Sequence, residues 1–247
     1  MSSPESVPQV KHRSPPQSGA SHPARPTRVA QRVAPGPPEA RRHYPATARN
    51  QEPIRAVLDD VLPAIPDPEG AVLLELASGS GEHAVALGPT LPPGWCWRPS
   101  DGDAPSAQAA ATLIALERPD RVEGPLLLDV TDRPWPTNAV EGVAAIAAIN
   151  LIHIAPWTVT EALMAEAGAA LPPNGLLYLY GPYRVGGRHT ADSNAAFDAS
   201  LRSQDPAWGV RDLEAVVAQA EAHGLSLVKT VAMPANNLSV ILRKPVV

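Results

Sequence analysis

Short apolar runs and longer segments of helical periodicity alternate along the chain from about residue 43 onwards. The apolar runs have the length of buried strands, whereas the longer segments carry apolar residues at intervals of three and four, which indicates helices with one buried face. The predicted strands cover residues 71–77, 95–99, 125–129, 143–149, 176–180, 226–232 and 238–242, and the predicted helices cover about 50–62, 82–88, 104–116, 157–171 and 212–222. Strands that alternate with helices predict an α/β fold, a mainly parallel sheet with helices on both faces.

The last two predicted strands are joined differently from the others. Only Met-Pro-Ala-Asn-Asn, residues 233–237, separates them. Five residues leave no room for the crossover helix that two parallel strands need. We therefore expect a seven-stranded sheet in which the last strand runs antiparallel.

The first 42 residues have a different composition from the rest. They contain nine prolines and few large apolar side chains. Proline cannot continue a helix, and so few apolar groups cannot offset the entropy that ordering costs. We expect residues 1–42 to be a disordered tail rich in Pro and Arg, and residues 43–247 to form the folded domain.

Charge and cysteine content exclude several classes of protein. The tail carries a net charge of +5 and the domain one of −10, which together give the net charge of −5. A domain this acidic argues against binding of nucleic acid through its phosphates. A single cysteine, Cys96, excludes an intramolecular disulfide, and no His or Cys spacing is typical of a metal site. The longest apolar runs are too short to span a bilayer. We expect a cytoplasmic protein without a membrane span or a metal.

The strongest local signal is LLELASGSG at residues 73–81, where a buried strand ends in Glu75 and turns through Gly79 and Gly81 into a helix. The glycines allow backbone conformations closed to other residues and let a ligand approach the main chain. By itself, however, the spacing of Gly79, Gly81 and Ala84 also satisfies the dinucleotide-binding pattern, so NAD stays open at this point.

Acidic residues at the ends of three consecutive predicted strands favour S-adenosylmethionine over NAD. Glu75 would repel a pyrophosphate but suits a ligand that carries a sulfonium and an ammonium group. Asp101 could accept the ribose hydroxyls of either cofactor. Asp129 ends the third strand, where it could bind the adenine amino group. Each acid also has a local alternative, as a helix cap or in a turn.

With these residues in place, the chain resembles the methyltransferase-like protein 26 family, the uncharacterised proteins grouped as domain of unknown function 938. The matching stretches are RNQEPI at 49–54, ELASGSGEHA at 75–84, PSD at 99–101, LDVTDRPWP at 128–136, INLIHIAPW at 149–157, LYGPY at 179–183, SNAAFDASLR at 193–202, WGVRDL at 208–213 and MPANNL at 233–238. The resemblance covers residues 44–243 and implies a Rossmann-like class I S-adenosylmethionine-dependent methyltransferase fold. It implies no particular acceptor. The chain departs from the family at residues 44–48, which read YPATA instead of SPAAE.

The candidate cofactor-binding residues are Glu75, Ala77, Gly79, Gly81, Asp101, Asp129, Asn150, Arg49 and Asn50. Asn150 ends a strand, so its amide could orient the acceptor or the carboxylate of the cofactor. Arg49 and Asn50 could cover the cofactor, or Asn50 could cap its helix.

The candidate catalytic residues are His153, Asn150 and Tyr183. His153 could act as a general base if the acceptor must lose a proton, and its alternative role is a packed histidine. Tyr183 lies in a segment from 180 to 212 that is dense in polar and aromatic side chains, which indicates a lid that selects substrate.

Methyl transfer from a sulfonium is an in-line displacement in which the protein mainly aligns the reactants. We therefore expect a methyltransferase of unknown acceptor, with a small molecule favoured over a protein. The alternative is a non-catalytic S-adenosylmethionine-binding or interaction protein on the same fold.

Overall fold

A computed structural model of the chain describes residues 29–38, 45–65 and 70–246. The strands in these residues are β1 (Gln31–Arg32), β2 (Ala71–Leu76), β3 (Trp95–Asp101), β4 (Leu126–Leu127), β5 (Val143–Ile149), β6 (Leu176–Val185), β7 (Arg188–His189), β8 (Arg211–Asp212), β9 (Ser226–Met233) and β10 (Asn237–Arg243). The helices are α1 (Pro45–Val61), α2 (Glu82–Leu87), α3 (Ala104–Glu117), α4 (Thr137–Val140), α5 (Trp157–Ala170), α6 (Asp192–Gln204) and α7 (Leu213–Glu221). None of the helices in these ranges is long and apolar enough to cross a membrane.

The strands form one sheet in the order β1-β4-β3-β2-β5-β6-β10-β9, with β7 and β8 paired to the end of β6. The seven expected strands are those from β4 to β9 in this order across the sheet. The prediction of seven was too low for the described residues, because the two-residue strands β1, β7 and β8 bring the number to ten. Strand β10 is antiparallel to both β6 and β9, as the short connection predicted.

Two apolar cores lie on opposite faces of the sheet because neighbouring residues of each strand point to opposite sides. On one face, Leu74 and Leu76 of β2 pack with residues of α5 and α7. On the other face, Leu73 packs with residues of α1 and α2. Glu75 alternates with Leu74 and Leu76, so its side chain projects to the face that α1 and α2 cover.

Residues 29–38, which we call the N-terminal strap, lie against the edge of the sheet. Within the strap, β1 pairs antiparallel with β4. Asn138 fixes the buried Ala30, because its side chain accepts a hydrogen bond from the Ala30 amide and donates one to the Ala30 carbonyl, both 2.9 Å long. Arg32 contacts Glu123 at 2.7 Å.

The expectation of disorder is therefore wrong for the N-terminal strap. Its backbone finds partners that lie about 100 residues further along the chain, in β4 and at Asn138. The rest of the expected tail, residues 1–28 and 39–42, lies outside the described residues. Helix α1 begins at Pro45, five residues before the predicted start.

Deleting residues 1–38 should lower the melting temperature of the domain. The lost hydrogen bonds and the burial of Ala30 are together worth about 1–2 kcal/mol, which corresponds to roughly 2–8 °C for a domain of this size. Deletion of residues 1–28, which leaves the N-terminal strap in place, is the matched control for scanning calorimetry. Equal melting temperatures for the two truncated proteins would show that the strap adds nothing to stability.

Candidate active site

The turn between β2 and α2 exposes main chain at the carboxyl edge of the sheet. Ala77, Gly79 and Gly81 all have positive φ values, of 53°, 56° and 76°. A methyl group at Gly81 would lie only 2.9 Å from the side chain of Ala110 on α3, so the turn packs tightly on that side. Among the described residues, apart from the two chain neighbours of Gly79, no atom lies within 4 Å of the corresponding position at Gly79, which leaves room for a ligand there.

The carboxylate of Asp101 holds this turn. Its Oδ2 accepts a hydrogen bond of 2.9 Å from the amide of Gly79, and its Oδ1 accepts one of 2.8 Å from the amide of Asp103. The acid that ends β3 therefore lies beside the glycine turn, although β2 and β3 are separated by a helix in the sequence.

Asp129 packs against Gly102, the residue that follows Asp101. A methyl group at Gly102 would be 3.3 Å from the Cα atom of Asp129. The exposed Asp129 carboxylate also forms the local turn that was its alternative role, since its Oδ1 accepts hydrogen bonds from the amide and the hydroxyl of Thr131, 2.8 and 2.7 Å long.

A cavity of about 310 Å³ opens at the same edge of the sheet, between the glycine turn, α1 and the end of β5. Five of the predicted cofactor residues line it, and they come from three separate parts of the chain. The lining residues are Thr47, Asn50, Glu75, Ala77, Ser78, Gly79, Ser80, His83, Ile149, Asn150 and Ile154. Arg49 is exposed on α1 and does not line the cavity.

Glu75 is almost completely buried at the floor of the cavity. The indole Nε1 of Trp97 donates a hydrogen bond of 2.9 Å to Glu75 Oε2, so Trp97 does more than pack in the core. Burial raises the pKa of Glu75 to about 7, and this effect exceeds the opposing effect of the hydrogen bonds from Trp97 and Ser78.

His83 on α2 completes the surroundings of Glu75, although it was not among the predicted site residues. Its Nε2 donates a hydrogen bond of 2.9 Å to Asn50 Oδ1, because an amide oxygen can only accept. Its Nδ1 lies 3.6 Å from Glu75 Oε1. Burial lowers the pKa of His83 to about 4, so the ring is neutral near pH 7 and its Nδ1 carries a lone pair.

Two lone pairs would therefore face each other between His83 Nδ1 and an ionised Glu75 Oε1. A proton on Oε1 removes this repulsion, which agrees with the raised pKa of Glu75. A nearby positive charge would favour the ionised carboxylate instead. The floor of the cavity is thus suited to a cationic ligand.

His153 and Tyr183 lie together behind the cavity and do not line it. Both side chains are completely buried, with ring centroids 5.1 Å apart in an edge-to-face arrangement. Burial lowers the pKa of His153 to about 3 and raises the pKa of Tyr183 well above its usual range. The two ring nitrogens of His153 and the hydroxyl of Tyr183 have no hydrogen-bond partner among the described residues.

Asn150 is the one catalytic candidate that reaches the cavity. It has a left-handed backbone with φ of 61°, and its backbone N–H donates a hydrogen bond of 2.8 Å to the backbone carbonyl of Tyr180. A methyl group at Gly181 would lie 3.2 Å from Asn150 Oδ1 and 2.4 Å from His153 Nε2. His153 therefore lies beside Asn150 and occupies the space that a side chain at Gly181 would need.

The expected lid comprises β7, α6 and β8, and side-chain hydrogen bonds hold it in place. Asn194 Nδ2 donates to Thr190 Oγ1 and to the carbonyl of Asn236, both at 2.9 Å. Arg202 and Asp198, four residues apart on α6, form an ion pair with a distance of 3.0 Å. This segment joins the last hairpin of the sheet to the edge that carries the cavity.

Solved O-methyltransferase structures share the fold. One is the mitomycin 7-O-methyltransferase, which is 19% identical and has a TM-score of 0.60, with 77% of this chain and 54% of that chain covered. Another is an O-methyltransferase family 2 protein from Planctomyces limnophilus in complex with apigenin, which is 22% identical and has a TM-score of 0.62, with 79% and 61% covered. A third is an O-methyltransferase family protein from Burkholderia thailandensis, which is 14% identical and has a TM-score of 0.60, with 82% and 61% covered.

The matched regions span only about half to three fifths of the length of these proteins. At such low identity the likeness concerns the fold, which is the Rossmann-like fold of class I methyltransferases. A family model described as "Protein of unknown function (DUF938)" matches residues 41–244, most of the chain, and confirms the part of the resemblance that concerns domain of unknown function 938. The chain therefore belongs to the DUF938 family.

Proposed function

We propose that this chain binds S-adenosylmethionine in the cavity beside the glycine turn and transfers its methyl group to a small-molecule acceptor. The observation that carries the proposal is the buried carboxyl group of Glu75, which faces an open cavity next to main chain with room for a ligand. A pyrophosphate would be repelled there, whereas an ammonium or a sulfonium group would replace the proton that Glu75 otherwise holds.

The other predicted cofactor residues fit this ligand. Asp101 would accept hydrogen bonds from the ribose hydroxyls, and Asp129, across Gly102, would accept one from the adenine amino group. Ala77, Gly79 and Gly81 would bring the main chain close to the ligand. Asn50 and Asn150 would contact its amino-acid end from α1 and β5. For the exposed Arg49 we propose only a place at the mouth of the cavity.

When bound, the cofactor would supply an electrophilic methyl group together with its own leaving group, the thioether sulfur. The residues of this chain would hold the two reactants in line and exclude water. Such alignment can lower a barrier by about 7–11 kcal/mol. Asn150 is the catalytic candidate placed to orient an acceptor.

The burial of His153 changes the role that we propose for it. A general base must reach the proton that it removes, and His153 is sealed beneath Gly181. We propose that His153 and Tyr183 support Asn150 from behind. Any proton on the acceptor would stay on the methylated product and pass to solvent when the product leaves the cavity. Methyl transfer would then depend on alignment more than on a base.

A small-molecule acceptor is favoured by the names of the structural relatives, which include a mitomycin 7-O-methyltransferase and a protein in complex with apigenin. A closer relation to methyltransferase-like protein 26 within the DUF938 family and a cytoplasmic location stay predictions.

S-adenosylhomocysteine should raise the melting temperature, whereas NAD should not. At a ligand concentration of about 100 times the dissociation constant, the stabilisation is about 2.7 kcal/mol, or roughly 5–11 °C for a domain of this size. Thermal-shift measurements with both ligands check this expectation. Equal stabilisation by NAD would contradict the assignment of the cofactor.

Asp101→Ala should weaken binding of S-adenosylhomocysteine by about 10–1000-fold, since hydrogen bonds to a charged group are worth about 1.5–3 kcal/mol each. Asp101→Asn, which keeps one acceptor oxygen, should lose less. Asp103→Asn removes a charge two residues away, where the side chain only caps α3, and is the matched control for calorimetric titration. An unchanged dissociation constant in Asp101→Ala would remove this residue from the site.

His153→Gln should make the protein less sensitive to acid. The folded protein binds a proton at His153 only near pH 3, whereas the unfolded chain binds it near 6.5, so stability is lost as the pH falls between these values. Glu75 contributes with the opposite sign between about pH 4.5 and 7, but equally in both proteins. Melting temperatures from pH 7 to 4 should fall less steeply in the variant, with His223→Gln as the control. Parallel curves would mean that His153 takes up its proton in the folded state.

A further inference from the structure

Tyr180 lies on β6 beside the cavity, at the start of the segment from 180 to 212 that the sequence predicts to select substrate. Its register partner on β5 is Ile149, which lines the cavity. Side chains of partnered residues in neighbouring strands project to the same face of the sheet, and Tyr180 packs in the same core as Ile149. The backbone of Tyr180 also accepts the hydrogen bond from the amide of Asn150.

Amide groups from two distant segments surround the hydroxyl of Tyr180. Asn237 Nδ2 on β10 donates a hydrogen bond of 3.0 Å to Tyr180 Oη. Asn50 on α1 turns its oxygen to His83, so its NH₂ group is the end that faces Tyr180. Burial raises the pKa of Tyr180, while hydrogen bonding by Asn237 and Asn50 opposes this rise, which agrees with both amides acting as donors.

A tyrosine hydroxyl has one proton to donate as well as lone pairs that accept. Here the described neighbours of the hydroxyl are donors, and none of the described residues accepts its proton. Since burial keeps the hydroxyl protonated near neutral pH, Tyr180 is a hydrogen-bond donor in need of an acceptor atom. Amide groups from α1 and β10 thus contact the hydroxyl of this residue on β6.

We infer that Tyr180 donates a hydrogen bond to the methyl acceptor, and that this acceptor is a neutral small molecule with an oxygen or nitrogen atom that receives it. The inference rests on the proposed methyltransferase function and adds to it the class of the substrate and one residue that selects it.

The charges around the cavity decide that the acceptor is neutral. Glu75 and His83 are the titratable residues among those described as lining it, and Arg and Lys are absent from that set. An anionic acceptor would find no cationic side chain among these lining residues with which to pair. A cationic acceptor would compete for the carboxylate that the cofactor needs. Ile149 and Ile154, the latter 44% exposed, offer apolar contacts instead.

Tyr180→Phe tests the inference because it keeps the packed ring and removes only the hydroxyl. Tyr178→Phe is the matched control, since Tyr178 lies on the same strand and face but bonds to Ser239 in the core at 2.7 Å. The full-length proteins are incubated with S-adenosylmethionine labelled in the methyl group and with the dialysable fraction of a cell lysate, divided by ion exchange into neutral, anionic and cationic compounds.

The wild-type protein should label a compound of the neutral fraction. Tyr180→Phe should reduce this labelling by about tenfold to hundredfold, as expected for one hydrogen bond lost in a desolvated site. Its affinity for S-adenosylhomocysteine should stay within about twofold of the wild-type value. Tyr178→Phe should label as the wild type does, even if it melts earlier.

Three results would overturn the inference: undiminished labelling by Tyr180→Phe, label that enters a charged fraction, or an affinity for S-adenosylhomocysteine that falls as far as the labelling. The last would make Tyr180 a cofactor residue.

If the wild-type protein labels nothing, the proposed methyltransferase function fails by itself. The role of Tyr180 is then tested by ligand-observed NMR. This experiment measures the binding of phenol and benzamide to the protein loaded with S-adenosylhomocysteine. Weaker binding by Tyr180→Phe than by the wild type would support the neutral site, and equal binding would overturn it.

Discussion

A carboxyl group buried near the end of the central strand β2 constrains the whole cavity. Glu75 is buried beside the indole of Trp97, Ser78 and the neutral ring of His83, and no cationic side chain among the residues that line the cavity compensates a charge on it. The oxygen of the Asn50 side chain sets the tautomer of His83, and the NH₂ end of the same amide faces Tyr180. Glu75, His83 and Asn50 therefore act together on the charge of the ligand that fits the cavity floor and on the direction of hydrogen bonds at its rim.

The parallel sheet explains why these side chains meet. The carboxyl ends of β2, β3 and β5 lie at one edge, and the sequence reveals that edge because acidic or amide residues follow each apolar run. Glu75, Gly79 and Asn150 could be placed in one site from the sequence for this reason. The antiparallel β10 could be predicted as well, since the length of a connection is a local property.

Other parts of the site depend on contacts between distant segments, which local patterns do not encode. The N-terminal strap has the composition of a disordered tail, and only its partners in β4 and at Asn138 give it a fixed position. Tyr180 reads as a core residue of a strand, and its role depends on amides from α1 and β10. His83 carried a usable signal, since it lies in the first turn of the helix that follows the glycines.

The buried pair of His153 and Tyr183 shows where the fold sacrifices stability. An unpaired polar group in the interior costs about 1–3 kcal/mol, and this pair leaves two ring nitrogens and a hydroxyl without partners among the described residues. An apolar pair of similar volume would avoid that cost. The two rings nevertheless fill the space beneath Gly181, which borders Asn150 at the cavity. Natural proteins tolerate such groups mainly at functional sites, because the rigid placement of one exposed side chain can outweigh the loss. The two unpaired rings lie directly behind Asn150, the one catalytic candidate that reaches the cavity. This placement agrees with a site that works through alignment and not through proton transfer by His153.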